Sequence, residues 1–302
     1  MTGFEACFLD PVGQSVQQRW ADAVLTVAFE DLPPVSAFPS VPGRRWGPGL
    51  WWSATTGRHV AAGSNAMRTQ LMLLDRDPEV VALAGCPVRL LWHTPRGQAR
   101  SWTPQLFARY RDGTALLADC PSHVDAIGER ALKAGEAMEA ACTDVGWTYR
   151  RLQPPDEVFT ANLKWLAGYR HPRNAGQPGQ RAAVLEAFCR PRPLMEGTEA
   201  VGDPIKVLPT VFHALWHGQL TTSLERPLHE RAVVTTRRLG GSTDTNPPAT
   251  AGHLPPGRSE GGGEASRDSG AATLAAATRP GPAPDTARGV PQVRALGCGE
   301  VS

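Results

Sequence analysis

The sequence has few of the features that build a zinc site or a disulfide scaffold. Its cysteines are scattered, and no two of them form a CxxC pair. Zinc modules and small disulfide-rich domains use closely and regularly spaced cysteines. The sequence therefore excludes both classes, and cysteines without a pairing pattern predict a reducing, cytoplasmic location. The six are Cys7, Cys86, Cys120, Cys142, Cys189 and Cys298.

An excess of charge of one sign is also missing, because 31 basic residues stand against 29 acidic ones. A protein that coats nucleic acid without selectivity needs a strongly basic surface, so any DNA contact must be local. No basic-then-apolar leader opens the chain, and its apolar runs are far shorter than the roughly 20 residues that cross a bilayer. We therefore expect neither secretion nor a membrane partner.

Aromatic residues are absent from residues 239–302, which contain 12 Gly and 8 Pro in 64 positions. Such a segment buries too little apolar area to offset the entropy of ordering it, which predicts a disordered tail. The remaining length accommodates about two domains of ordinary size. We place them at residues 1–153 and 154–238.

The first domain contains runs with strand and helix patterns. The run AVLTVAFEDLPP, residues 23–34, alternates like a strand and ends at two prolines. Ser64 is placed to cap a helix that ends near Asp77. The order helix, strand, strand, strand, helix, strand predicts an α/β core with a mixed sheet. The later strands are predicted within 87–94, 101–123 and 146–152, and the second helix over 124–145.

The second domain changes to short helical patterns, within residues 157–170, 180–189 and 208–220. The following segment, TTSLERPLHERAVVTTRR, predicts a two-stranded wing over residues 221–238. The predicted fold is thus an α/β core followed by a small helical, winged-helix-like domain.

The segment from Ser101 to His123 contains a hairpin with polar residues facing each other. With residues 111–113 as a three-residue loop, the register sets Gln105 opposite Asp119. Nucleases of the PD-(D/E)xK type place an Asp before one strand and an acid on its neighbour to hold Mg²⁺, with a Lys two residues later on the same face. Here those positions hold Gln105, Asp119 and Pro121, so one acid of two remains and the cation is missing.

Six segments, in order over about residues 20–238, carry a more specific resemblance. The chain resembles the TnsA-like endonuclease subunits of heteromeric bacterial transposases. The resemblance implies a restriction-endonuclease-like core followed by a winged-helix domain. It also implies a Mg²⁺-dependent DNA cut at transposon ends, made with a separate transposase subunit and, in the better-known systems, an ATP-using regulator. The segments are PPVSAFPS, LWWSATTGRHV, LMLLDRDPEVV, FARYRDGTALLADC, NLKWLAGYRHPR and LPTVFHALWHGQL.

The resemblance also assigns the catalytic positions of the family to residues of this chain. The helix Glu falls on Met67, the Asp before the strand on Gln105, the second acid on Asp119, and the basic residue on Pro121. A thioether does not bind a hard cation, an amide oxygen carries no charge, and proline removes an N–H. We therefore expect weak Mg²⁺ binding or none at Asp119, and a catalytically impaired subunit that acts as a DNA- or transposase-binding scaffold.

Two alternatives stay open at this stage. The first is an active metal-dependent endonuclease in which other acids replace the lost ligands. The second is a winged-helix DNA-binding protein whose first domain only packs against it. The acids considered as relocated ligands are Asp75, Asp77, Glu79, Asp112 and Asp125.

Basic residues in three segments are candidates for contact with the DNA backbone. Each segment has an alternative interpretation: aromatic packing with surface charge for the first, a solvated linker for the second, and the start of the tail for the third. The candidates are Arg58 and His59, then Arg170, His171 and Arg173, and finally Arg237 and Arg238.

His213 and His217 are four residues apart, a spacing that suits zinc, but the Glu of an HExxH motif is absent. We expect structural or DNA-facing histidines. Cys120 follows Asp119 without a neighbouring base, which favours a packing role over a nucleophile.

Overall fold

The structure, a computed structural model, describes residues 3–36, 38, 48–122 and 128–237. The predicted tail, Arg238 and Asp125 lie outside the described residues. Within them the fold is mixed α/β, as predicted. None of the described helices is both long and apolar enough to cross a membrane.

Helices and short strands alternate along the described residues. The helices are α1 (Trp20–Thr26), α2 (Asn65–Arg76), α3 (Glu129–Thr143), α4 (Glu157–Ala167), α5 (Pro178–Ala187), α6 (Leu194–Glu199) and α7 (Pro204–Trp216). The strands are β1 (Glu5–Leu9), β2 (Ser15–Arg19), β3 (Gly49–Trp52), β4 (His59–Ala62), β5 (Val80–Gly85), β6 (Arg89–His93), β7 (Ala99–Trp102), β8 (Leu106–Tyr110), β9 (Ala115–Asp119), β10 (Thr148–Arg151), β11 (Arg192–Pro193), β12 (Leu220–Thr221) and β13 (Val233–Thr236).

The central sheet has the strand order β10-β9-β8-β5. Strand β8 is antiparallel to both neighbours, whereas β10 runs parallel to β9 after the crossover helix α3. The predicted hairpin register is confirmed, since Leu106 pairs with Ala118 and the Tyr110 N–H donates to the Thr114 carbonyl. Gln105 and Asp119 are therefore opposite each other at the end of the hairpin.

Both faces of the central sheet are covered, which explains why its hairpin is almost wholly apolar. Side chains alternate between faces along a strand. Phe107 and Leu117 pack with α1, α3 and the sheet β2-β1-β6-β7, whereas Leu106 and Leu116 pack with α2 and the later helices. The second cluster extends from Trp51 to Val234, so one continuous core spans residues assigned to both predicted domains.

Two strand predictions in the core need correction. The predicted strand over 87–94 exists as β6, but it belongs to the other sheet, and the neighbour of β8 is the unpredicted β5. Strand β5, with sequence VVALAG, has no alternation because it is buried from both sides over most of its length. Ser101 and Trp102 form part of β7, since Pro104 lacks the N–H that would continue a strand into β8.

The prediction of a strand beginning at residue 23 is wrong, because residues 20–26 form helix α1. Trp20 and Ala23 are buried on one helical face, and the Trp20 indole N–H donates to the Ala141 carbonyl at 2.7 Å. Tertiary packing of this tryptophan overrides the local alternation. The hairpin β1–β2 was also missed; its turn carries Asp10, whose side chain accepts two backbone N–H groups, and Gly13 with φ of 85°.

The α2 prediction is confirmed at both ends. The Ser64 hydroxyl accepts the Met67 N–H at 3.1 Å, and the helix ends at Arg76, before Asp77. The segment predicted as a two-stranded wing contains one antiparallel pair, in which Leu220 lies opposite Thr236 and Thr221 opposite Thr235. Strand β11 completes this small sheet in the order β11-β13-β12.

Candidate functional site

Asp119 ends β9 with its carboxylate surrounded by protein donors. Oδ2 accepts hydrogen bonds from the Trp102 indole N–H at 2.6 Å and the Tyr149 hydroxyl at 2.7 Å. Oδ1 accepts the Gln105 backbone N–H at 3.2 Å. Burial raises the pKa of Asp119 above its ordinary value, while these hydrogen bonds and the charge of Arg151 act in the opposite direction. The carboxylate is therefore a well-coordinated structural acceptor.

Both oxygen atoms of Gln105 also accept hydrogen bonds from the protein. Its side-chain oxygen accepts the Cys120 N–H at 2.6 Å, and its backbone carbonyl accepts the Cys86 N–H at 2.9 Å. Gln105 thus links the ends of β5, β8 and β9. The amide oxygen that would have to ligate a metal already has a backbone partner.

Met67 lies in the apolar cluster on the face of the central sheet that α2 covers. It is fully buried, and its sulfur accepts the Gly63 N–H at 3.2 Å. Its terminal methyl approaches Gly85 so closely that a Cβ there would lie 3.0 Å away. Asp119 contacts side chains of the opposite face instead. Met67 and Asp119 therefore occupy different surroundings, one apolar and one polar.

The backbone beside this site is strained at Cys86, a non-glycine residue with φ of 49°. Burial raises the pKa of the Cys86 thiol to about 12 and also raises that of Cys120. Thiols with raised pKa values are poor nucleophiles. The packing role expected for Cys120 agrees with its burial.

A cation does lie beside Asp119, on a strand that the sequence motif does not include. Strand β10 pairs Arg151 with Asp119, and Arg151 Nη2 donates to the Leu132 carbonyl at 3.3 Å. Trp102, Tyr149 and Arg151 were all missed from the sequence. Their proximity depends on the parallel β9–β10 register and on the approach of β7, neither of which has a local spacing signal.

The candidate acids within the described residues, Asp75, Asp77, Glu79 and Asp112, do not form a metal-binding group with Asp119. Asp75 is buried and accepts four hydrogen bonds, from the Trp51 indole, the Ser53 hydroxyl and the backbone N–H groups of Ala54 and Thr55. These contacts fix the turn between β3 and β4 onto the end of α2. A carboxylate with four protein donors serves the fold.

The other relocated acids have local roles. Asp112 accepts both the N–H and the hydroxyl of Thr114 within the hairpin turn, and these bonds lower the pKa of Asp112. Asp77 accepts the Glu79 N–H. Among the described residues, no three His, Cys, Asp or Glu side chains are grouped to hold a metal ion. One carboxylate with an amide and a thioether does not fit Mg²⁺, which prefers several oxygen ligands including carboxylates.

Two of the segments predicted to contact DNA meet around Trp52. His59 pairs with Trp52 across the β3–β4 hairpin, and the His171 ring stacks on the Trp52 ring with centroids 4.6 Å apart. Arg58 forms a half-exposed ion pair with Asp31 at 2.8 Å. His59 and His171 therefore both lie beside Trp52, whereas the Arg58 guanidinium is bound to Asp31.

Arg170 is held by the protein itself. Its Nε donates to the Trp52 carbonyl at 2.8 Å, and its guanidinium lies 3.8 Å from the Trp51 ring centroid. Such a cation–π contact contributes about 1 kcal/mol or more. Arg173 and Arg237, in contrast, are exposed and stay candidates for DNA contact.

The rings of His213 and His217 are in contact in a tilted arrangement, with centroids 4.3 Å apart and an interplanar angle of 57°. Their Nδ1 and Nε2 atoms donate to the carbonyls of Tyr169 and Arg170, at 2.9 and 3.2 Å respectively. Burial lowers the pKa of His213. The two histidines therefore connect the segment after α4 to α7 and have a structural role.

No protein-family model matches the chain, and no curated protein matches it significantly.

Proposed function

We propose that the chain is a TnsA-like transposase endonuclease subunit whose nuclease centre has lost its metal chemistry. It then acts as a scaffold that binds DNA or the partner transposase. The order α2, β5, β8, β9, α3, β10, with one parallel pair closing the sheet, supports a restriction-endonuclease-like core. Four of the six motif segments quoted above fall on these elements and on α4 and α7, and LWWSATTGRHV falls on β3 and β4.

The later elements support a winged-helix domain. Helices α5, α6 and α7 are combined with a small three-stranded sheet in which β12 and β13 form an antiparallel pair. Most of α7 is buried, but Ile205 and Lys206 in its first turn are exposed. Recognition helices contact DNA with their N-terminal residues, so this exposed turn is consistent with a DNA-facing role.

The observation that carries the loss of catalysis is the coordination of Asp119 by three protein donors. A nuclease centre keeps its carboxylates together because the metal offsets their mutual repulsion. Here the neighbouring position holds neutral Gln105, and Trp102 and Tyr149 donate to the carboxylate, so Asp119 needs no metal to be stable. DNA, a transposase subunit and an ATP-dependent regulator are the partners that this assignment implies.

The proposal is tested by incubating the full chain with supercoiled plasmid and either Mg²⁺ or Mn²⁺. We expect no nicking above the level of an Asp119→Ala variant, together with salt-dependent binding to duplex DNA. Arg173→Gln should weaken that binding without changing stability, because the side chain is exposed. Metal-dependent nicking that disappears in Asp119→Ala would show an active nuclease and reject the scaffold.

A restoration variant tests the assignment of positions. Combining Met67→Glu, Gln105→Asp and Pro121→Lys returns the acidic and basic groups of the family. If the assignment is right, Mg²⁺ should raise the melting temperature of this folded variant and leave that of the natural chain unchanged. A variant that folds but shows no response to Mg²⁺ or Mn²⁺ would contradict the assignment.

A further inference from the structure

A cleft of about 420 Å³ lies at the C-terminal end of α2, away from Asp119. Its walls come from the turn after β3, the start of β5, the β8–β9 turn and the end of α7. The side chains that matter here are Arg76, Asp77, Arg111, Trp216 and His217. The volume is within the range of pockets that hold small ligands.

Two buried N–H donors on the walls of this cleft have no hydrogen-bond partner in the described part of the chain. They are Nε of Arg76 and Nε1 of Trp216. A buried donor without a partner is destabilising, because it has lost its hydrogen bond to water and gained none from the protein. The Nη2 atom of Arg76 donates to the Leu215 carbonyl at 3.1 Å, so the side chain contacts the end of α7.

The charge of Arg76 is also poorly compensated. It forms no ion pair within the described residues. Burial and the nearby Arg237 lower the pKa of Arg76, and Arg237 itself lies against Gly218. Asp75 is on the same wall, but its carboxylate serves the four donors described above.

We propose that this cleft binds a terminal phosphate group, such as that of a nucleotide or of a DNA 5′ end. A guanidinium offers several donors in the geometry of phosphate oxygens, and the Trp216 indole N–H adds a neutral donor. Arg111 and Arg237 supply further positive charge beside it. Both orphan donors are shielded from solvent, so the proposal requires the partly exposed side chain of Arg76 to turn toward the cleft when the anion enters.

Asp77 provides a sharp test, because it is the acid on the wall that opposes an anion. Its Oδ1 accepts the Glu79 N–H, and an asparagine oxygen accepts the same bond. Asp77→Asn should therefore keep the local structure while strengthening phosphate binding several-fold. If Arg76 had only a structural role, this change would leave anion binding unaffected.

The experiment titrates the full chain with inorganic phosphate, using sodium chloride at equal ionic strength as the reference. We expect a rise in melting temperature and a shift of the Trp216 indole ¹H–¹⁵N signal in the natural chain. Arg76→Gln should reduce phosphate affinity at least tenfold, whereas the exposed Arg100→Gln serves as a matched control that retains it. The indole signal keeps the test decisive even if Arg76→Gln fails to fold.

Competition then identifies the source of the phosphate. A nucleoside triphosphate, a 5′-phosphorylated duplex and the same duplex with a 5′-hydroxyl are added to the phosphate-bound chain. Displacement by the triphosphate indicates a nucleotide site, and displacement by the phosphorylated duplex alone indicates a DNA-end site. No indole shift and no rise in melting temperature at high phosphate would overturn the proposal. It does not depend on the nuclease assignment, since its readouts do not involve Asp119.

Discussion

The two ends of α2 hold contrasting polar sites. At its N-terminal end, near the family's nuclease positions, Asp119 and Gln105 have protein partners for their polar groups. At its C-terminal end, Asp75 is equally well coordinated, yet Arg76 and Trp216 beside it keep donors without partners. Arg151 Nε beside Asp119 is also a buried donor without a partner in the described part of the chain. The second site differs because two such donors belong to residues that border a cleft, and this combination suits a ligand.

Under the proposed assignment, the contrast offers a physical route by which a nuclease centre can become structural. Carboxylates that share a site repel each other unless a cation is bound. Since the residue opposite Asp119 is an amide, this repulsion is absent, and indole and phenol donors surround the carboxylate instead. The acid survives because removing it would leave those donors buried without an acceptor.

The largest effect is expected for Asp75→Ala. This change leaves the donors of Trp51, Ser53, Ala54 and Thr55 without their acceptor in a buried setting. We expect a loss of about 3–5 kcal/mol in the free energy of unfolding, measured by urea denaturation. Asp112→Ala, in an exposed turn, is the matched control and should lower the free energy of unfolding far less.

Asp119→Ala should have the next largest effect. Its Tyr149 hydroxyl and Trp102 indole lose their acceptor, which should lower the free energy of unfolding by about 2–4 kcal/mol. Catalytic acids held for function often behave in the opposite way, because removing them relieves strain or repulsion. An Asp119→Ala variant as stable as the natural chain, or more so, would break the comparison drawn here.

Sequence patterns predicted the parts of the fold that local chemistry decides. The three-residue turn fixed the pairing of Gln105 with Asp119, and Ser64 marked the start of α2. The patterns failed where distant packing decides. The segment that begins at Trp20 is a helix because the Trp20 indole N–H donates to the distant Ala141 carbonyl. Strand β5 lacks alternation because both of its faces are largely covered.

The residues of the candidate site were likewise predictable only where local spacing along the chain positions them. Gln105, Asp119 and Pro121 were found from spacing along one hairpin. Arg151 and Tyr149 could not be, since their position beside Asp119 depends on a parallel pairing formed across α3. The cleft beside Arg76 could not be predicted from any sequence motif, because its walls come from the ends of α2 and α7, which are about 140 residues apart in sequence.

The smallest effect concerns His213, which links α7 to Tyr169 near the C-terminal end of α2. Burial lowers the pKa of His213, so the unfolded chain takes up this proton before the folded chain as the pH falls. Its contribution to stability is therefore present above the ordinary histidine pKa of about 6.5 and is lost as the pH falls toward the lowered value. Urea midpoints measured across this range should fall less steeply for His213→Gln than for the natural chain. The exposed His93→Gln variant should keep the slope of the natural chain. Equal slopes for the natural chain and both variants would mean that no buried histidine titrates at this end of α2. The polar groups there would then be more open to water than those around Asp119.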